Sequence, residues 1–99
     1  MSKAKIYITK NASELADLLG LTPADGLEIA VKVELNSKII EVVNKQELTH
    51  AQVAKLARTS RTRITAIMNH NTKDISTDLL LRVLGSLGYT AQIKFSKAA

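Results

Sequence analysis

The sequence predicts an all-α domain of about five helices that ends in a short β-strand. Three observations lead to this prediction. Apolar residues recur at steps of three and four over most of the chain, which is the spacing of one face of a helix. Aromatic residues make up only 3% of the chain and Trp is absent, so the core must be aliphatic. The last apolar stretch, residues 89–95, instead alternates with a period of two, which is typical of a strand.

Composition limits the class of protein. A chain of 99 residues allows one domain, and a hydrophobic fraction of 45% excludes a fully disordered chain. The absence of Cys excludes a disulfide framework and a thiolate metal site. We expect a cytoplasmic protein with no membrane contact, because no apolar run reaches about 18 residues and the start lacks the core of a signal peptide. The net charge of +5 has the sign expected of a nucleic-acid binder.

The chain divides into two predicted parts. Residues 1–26 are predicted to form an amino-terminal arm that could bind a partner, and residues 27–99 to form the main domain with its carboxyl-terminal strand. Within the arm, Ile6 and Ile8 alternate with their neighbours, which predicts a short strand or an extended segment over residues 5–9.

The rest of the arm contains helix and turn signals. Asn11 or Ser13 can cap a short helix that ends near Leu19. Residues 21–26 (LTPADG) predict a turn. Pro23 could instead occupy the first position of a new helix.

Residues 27–45 are predicted to form a long helix with two apolar stripes. One stripe is expected to pack on the helices that follow. The other needs a further partner, which could be the amino-terminal arm, a second chain, or both. The first stripe is Leu27, Ala30, Val31, Leu35, Ile39, Val42 and Val43, and the second is Ile29, Val33 and Ile40.

The stretch from 48 to 69 (LTHAQVAKLARTSRTRITAIMN) predicts two short helices joined by a tight turn. Thr49 and Ser60 can each cap a helix, because their hydroxyls can accept a bond from a backbone N–H in the first turn. The predicted inner faces are Val53, Ala54, Leu56 and Ala57 on the first helix, and Ile64, Ile67 and Met68 on the second.

The outer face of the second helix is rich in hydrogen-bond donors. No acidic residue occurs between Ser60 and Lys73, although a solvated face usually mixes charges. Such a face suits an anionic surface that also carries readable donors and acceptors. Thr72 and Lys73, in the polar loop that follows, could contact phosphate. The outward residues of the helix are Arg61, Thr62, Arg63, Thr65 and Asn69.

The carboxyl-terminal part predicts one helix and one strand. Ser76 can cap the helix and Gly88 can end it. The apolar stripe of this helix spans only two to three turns, so we interpret it as part of the core and not as a leucine zipper. The strand over 89–95 needs a partner, either residues 5–9 or its own copy across a two-fold axis. The stripe is Leu80, Val83, Leu84 and Leu87.

Signals for catalysis, metals and cofactors are missing. His50 and His70 lie on different elements and do not share a metal-ligand spacing. The chain contains no nucleophile elbow, Gly-rich phosphate loop or pair of carboxylates in a catalytic pattern. We therefore predict a protein that is not an enzyme and holds no metal or cofactor.

The central stretch and the segments after it match a known sequence pattern. The residues at the positions of this pattern are Leu48-Thr49-His50, Val53-Ala54, the turn Arg58-Thr59-Ser60, then Arg61, Thr62 and Ile64, the helix from Ser76 to Leu80, and Leu87-Gly88 with the strand from Tyr89 to Phe95. With these residues, the span from about Leu27 to Phe95 resembles the phage-repressor (XRE/Cro-like) helix-turn-helix superfamily. It is most similar to the small single-domain branch that includes HigA-type antitoxins.

Two positions depart from the family pattern. Arg58 stands where the family commonly has Gly, and if the backbone there has positive φ, a side chain costs about a kcal/mol more than Gly. His50 replaces a Gln that, in relatives, braces the recognition helix and touches the DNA. A neutral His can still donate one hydrogen bond and accept another.

The resemblance implies a phage-repressor-like bundle and a transcriptional repressor. It further implies the antitoxin of a toxin–antitoxin pair that regulates its own promoter, with residues 2–26 as the candidate contact for a cognate toxin. Stand-alone regulators share the fold, so the antitoxin role is the finer part of this expectation. By position, the resemblance assigns direct DNA contacts to His50, Arg61, Thr62, Arg63 and Asn69.

We therefore predict sequence-specific binding of double-stranded DNA by a homodimer on a palindromic operator. Arg61 and Arg63 are expected to read guanine edges, and Thr62 and Thr65 to touch phosphate or a thymine methyl. Asn69 is expected to contact the backbone or an adenine. The predicted DNA-binding residues are Thr49, His50, Ser60, Arg61, Thr62, Arg63, Thr65, Asn69, Thr72 and Lys73. The alternative is a protein-interaction module on a helix-turn-helix scaffold without specific DNA binding.

Overall fold

The described part of the protein is mostly helical, with a short carboxyl-terminal strand, as predicted. A computed structural model describes residues 3–7 and 23–97. The predicted short helix that ends near Leu19 lies outside these residues, and four helices occur within them. The elements are β1 (Lys3–Tyr7), α1 (Pro23–Lys45), α2 (His50–Ala57), α3 (Arg61–Met68), α4 (Thr77–Ser86) and β2 (Thr90–Lys94).

Helix α1 begins earlier than its apolar stripes indicate. It starts at Pro23, so the turn predicted through Gly26 is wrong and the alternative start at Pro23 is correct. Proline suits this position because the first N–H groups of a helix have no partner within the helix. Asp25 lies in the first turn, where a negative charge interacts favourably with the positive end of the helix dipole.

One aliphatic core joins the four helices. It contains the predicted stripe of α4, the predicted inner residues Ile64 and Ile67 of α3, and the second half of the long helix. Ile75 is a further member, although it lies in a loop that was predicted to be polar. The buried residues are Leu35, Ile39, Val42, Val43, Val53, Ala54, Ala57, Ile64, Ile67, Ile75, Leu79, Leu80, Val83, Leu84 and Leu87.

The amino-terminal half of α1 extends past this core. Leu27 and Val33 are 39% and 58% exposed, although the sequence predicted both in apolar stripes. Helices α2 to α4 contain 8 to 10 residues each. Each is therefore about 12–15 Å long, against about 35 Å for α1. The fully buried aliphatic residues of α1 accordingly begin only at Leu35.

Leu56 was also predicted on an inner face, and this prediction is wrong. It is 52% exposed, whereas Val53, Ala54 and Ala57 are buried. At about 100° per residue, these three residues span an arc of about 100° on α2, and Leu56 falls about 60° outside that arc. A short helix that packs through so narrow an arc leaves the neighbouring leucine in solvent.

The two residues predicted to begin and end α4 do so in the structure. The Ser76 hydroxyl accepts a bond from the Leu79 N–H at 3.1 Å, and this cap begins the helix. Gly88 has φ +88° and donates its N–H to the Gly85 carbonyl at 3.1 Å. Positive φ favours glycine, so this residue ends the helix at little conformational cost.

The two strands form a parallel sheet with Ile6 beside Ile93. At the start of β2, Tyr89 and Ala91 are half-buried against the core. Further along, Ile93 and Phe95 are 49% and 85% exposed. The half-buried face predicted for residues 89–95 is therefore limited to its first half.

Candidate nucleic-acid interface

Two side-chain caps define where α2 and α3 begin. The Thr49 hydroxyl accepts a bond from the Gln52 N–H at 3.1 Å, and the Gln52 side chain accepts one from the Thr49 N–H at 2.8 Å. These reciprocal bonds form a capping box. The Ser60 hydroxyl accepts a bond from the Arg63 N–H at 3.2 Å. Both predicted caps are confirmed.

The backbone of the turn between α2 and α3 has positive φ at Arg58, where the family commonly has Gly. Arg58 has φ 55° and ψ 50°, so this position does adopt the left-handed conformation that favours Gly. The next residue, Thr59, donates its N–H to the Ala54 carbonyl at 3.0 Å, five residues back. This bond pattern belongs to the Schellman type of helix ending, and it sets the angle at which α3 leaves α2.

A side-chain contact joins the start of α2 to the middle of α3. His50 Nδ1 lies 2.9 Å from Thr65 Oγ1 in a hydrogen bond, and both residues are half-buried. The direction of donation depends on the histidine tautomer. In this protein His50 therefore makes the bracing contact that the resemblance ascribes to a Gln.

The outward side of α3 combines exposure with basic charge. Ile64 and Ile67 are 1% and 0% exposed, so the orientation of the helix about its axis is set by the core. Its first turn contains no acidic residue. Arg61, Thr62 and Arg63 are exposed together at its amino-terminal end.

The remaining predicted residues occupy several environments. Asn69 and Lys73 are exposed, and Thr72 is half-buried. Thr72 and Lys73 line a groove of about 390 Å³ against α1, together with Asp25 and Glu28. Lys32 lines the same groove, so its lining carries charges of both signs.

The fold brings acidic residues next to Arg63. Asp74 and Asp78 share with Arg63 and Arg82 a cleft of about 340 Å³ between α3 and α4. The chain has no acid from Ser60 to Lys73, but this cleft is of mixed sign because residues beyond that segment fold back. Sequence reasoning did not single out Arg82. Its position four residues after Asp78 was a usable signal, because side chains four residues apart on a helix are neighbours.

A second missed residue lies in the core. Asn36 is only 4% exposed, and its side-chain Nδ2 donates to the carbonyl oxygen of Ile67, near the end of α3, at 2.7 Å. The available signal was a polar residue placed between Leu35 and Ile39 of the predicted stripe. A buried amide without a partner is costly, so such a position predicts a specific hydrogen bond.

Comparison with known families agrees with this geometry. A family model described as a helix-turn-helix domain matches residues 15–96. The chain belongs to this helix-turn-helix domain family. Membership indicates a DNA-binding regulator. Domains of this kind bind DNA and are not enzymatic. No curated protein and no solved structure matches this helix-turn-helix chain.

The described helices of this helix-turn-helix protein do not have the character of membrane spans. None of them, across residues 23–97, combines the length and the apolar character needed to cross a bilayer. The longest is α1, with 23 residues, and it carries charged residues along much of its length.

Proposed function

We propose that this helix-turn-helix protein is a sequence-specific transcriptional repressor that binds double-stranded DNA as a homodimer. The observation that carries the proposal is the exposed group Arg61, Thr62 and Arg63 at the start of a helix whose opposite face is buried. Affinity for DNA comes largely from cations that neutralise phosphates, and specificity comes from donors that reach base edges. The start of α3 supplies both.

The dimensions of α3 support insertion into the major groove. An α-helix with its side chains is about 10–12 Å across, and the major groove of B-DNA is about 12 Å wide. The two arginines present planar guanidinium groups that can bind guanine O6 and N7 together. Thr62 can contact a phosphate or a thymine methyl between them, and Asn69 can contact the backbone or an adenine near the other end of the helix.

The beginnings of α2 and α3 support phosphate contacts. Thr49 and Ser60 are exposed, and the first N–H groups of a helix together with its dipole favour an anion. His50 adds a ring nitrogen beside the one engaged with Thr65. These groups would orient the recognition helix on the backbone, whereas the arginines would read the sequence.

A homodimer follows from the size of the reading surface. One short helix reads only a few base pairs, and two copies about 34 Å apart would read the halves of a palindromic operator. The second edge of β2 and the exposed side chains of Ile93 and Phe95 are the best candidates in the described chain for contact between copies.

The finer assignment is an antitoxin that represses its own promoter in the cytoplasm. It is supported by the resemblance of residues 27–95 to the HigA-type branch of the XRE/Cro-like superfamily. In this proposal residues 2–26 contact the cognate toxin; most of that segment lies outside the described residues. A neighbouring reading frame for a small basic toxin would support the assignment, and its absence would favour a stand-alone repressor.

The proposal is tested by fluorescence anisotropy with the full chain. The probes are a labelled duplex from upstream of its own reading frame and a scrambled duplex of equal composition, each at about 50 and about 200 mM salt. Tight binding to the first duplex alone, weakened by salt, is the expected result. Arg61→Ala and Arg63→Ala should each weaken it about tenfold or more, because one good base contact contributes about 1–3 kcal/mol.

Lys45→Ala is the matched control, because it removes one exposed positive charge that belongs to α1 and not to α3. It should change binding to both duplexes slightly and equally. If the upstream duplex is not preferred, selection from a random duplex library decides whether another operator exists. Failure to enrich any sequence would refute specific DNA binding and favour the protein-interaction module.

A further inference from the structure

A buried amide on α1 contacts the end of the recognition helix. Asn36 lies in the aliphatic core, and its Nδ2 donates to the Ile67 carbonyl oxygen at 2.7 Å across 31 positions of the chain. A carbonyl oxygen can only accept, so the nitrogen of the amide must be the atom that faces it. The orientation of the side chain is therefore determined by its partner.

This hydrogen bond is not needed to satisfy the Ile67 carbonyl. The same oxygen also accepts the His70 N–H at 3.1 Å, in the turn that ends α3. Burying the Asn36 amide among aliphatic side chains costs free energy that a leucine would not cost. The amide thus adds a second, directional bond to an oxygen that already has a partner. This bond fixes where the Ile67 carbonyl oxygen lies relative to α1.

A second polar contact lies one helical turn earlier on α1. Lys32 Nζ donates to the Thr72 carbonyl oxygen at 3.5 Å. Because Lys32 and Asn36 are four residues apart, they lie on the same side of the helix. Together they hold the segment from Ile67 to Thr72, which includes Asn69. The two contacts lie on the part of α1 next to the uncovered amino-terminal half.

We infer that Asn36 is a positioning residue of the DNA-reading surface, an inference that rests on the function proposed above. The buried side chains of Ile64 and Ile67 set the rotation of α3 about its axis. The Ser60 turn holds the start of the helix, and the bond between His50 and Thr65 holds its middle. Apolar packing is not directional, so by itself it leaves the end of α3 free to shift by small amounts. The Asn36 bond removes this freedom, and a binding site needs its groups within about 0.5 Å and 10–20° of the productive geometry.

The matched comparison is Asn36→Leu against Gln46→Met in the full chain. Gln46 is an amide in the turn directly after α1, and its Nε2 donates to the Leu87 carbonyl, at the end of α4, at 3.2 Å. Both variants remove one bond between an amide side chain and a backbone carbonyl. Anisotropy titrations on an operator duplex and a scrambled duplex, at a temperature where both variants are folded, give the specificity ratio.

Asn36→Leu should lower the specificity ratio about tenfold, which corresponds to the loss of one good base contact. Its binding to scrambled duplex and its salt dependence should change little, because the phosphate-binding cations remain. Gln46→Met should leave the ratio unchanged. A ratio that stays at the wild-type value in Asn36→Leu would overturn the inference, since a residue that only stabilises the fold affects both duplexes alike.

Amide hydrogen exchange of the free protein separates this inference from the proposed function. Asn36→Leu should speed exchange at the end of α3, over residues 67–71, and leave α4 unchanged. If the wild type prefers no duplex, including those of the random library, the proposed function is refuted, and the exchange pattern then decides whether Asn36 positions the helix. Exchange that rises uniformly over all helices, or does not rise, would refute the positioning role.

Discussion

Replacing Arg58 with glycine should stabilise the protein. Arg58 is exposed, so the change loses no buried contact. Its left-handed backbone, with φ 55°, crowds Cβ against a carbonyl oxygen, at a cost of about 1–2 kcal/mol for a residue other than glycine. The greater freedom of glycine in the unfolded chain offsets about 0.4–1 kcal/mol of this gain. The net increase in the free energy of unfolding should be roughly 0.5–1 kcal/mol.

The assay is urea and thermal unfolding followed by circular dichroism at one fixed protein concentration. For a domain of this size the midpoint should rise by roughly 2–8 °C. Arg58→Ala is the control, because it removes the same charge and side chain but keeps Cβ. If Arg58→Ala proves as stable as Arg58→Gly, the gain has another cause and the argument from backbone strain fails.

Three further predictions concern the cap, the brace and the core. Thr49→Ala should lower the free energy of unfolding by about 1 kcal/mol in urea titrations, and Thr49→Ser should not, because Ser keeps the capping hydroxyl; equal losses would contradict this. In anisotropy titrations, His50→Ala should weaken operator binding by removing the hydrogen bond to Thr65, whereas His50→Gln should retain most of the wild-type affinity. Equal weakening by both variants would show that an amide cannot replace the imidazole in this bond. Leu80→Ala, at a site that is 0% exposed, should cost about 2–5 kcal/mol in urea titrations, against less than about 0.5 kcal/mol for the exposed Leu56→Ala; the reverse order would contradict the burial.

Features that depend on neighbouring residues could be predicted from the sequence. The caps at Thr49, Ser60 and Ser76 were predicted because each hydroxyl bonds an N–H three residues on, within reach of the same turn. Gly88 was predicted as a helix end for the same local reason. The strong periodicity of α4 gave its buried stripe correctly, because one side of that helix faces the core along its whole length.

Predictions that needed the neighbours of an element were less successful. Val33 continues an apolar stripe, yet it is exposed because α2 to α4 are too short to cover all of α1. Pro23 begins the long helix, and the Asp25-Gly26 pair that predicted a turn lies inside it. Turn-forming residues are only weak obstacles in the first turn of a helix, where several N–H groups lack partners in any case.

The sequence by itself determined where the helices of the motif begin, and that Arg61, Thr62 and Arg63 are exposed at the start of α3. These follow from helical spacing and from hydrogen bonds over three or four residues. Only the tertiary structure decided what holds α3 in place. The bonds from His50 to Thr65 and from Asn36 to Ile67 join residues 15 and 31 positions apart. Such pairs depend on how whole helices pack, and no local spacing encodes them.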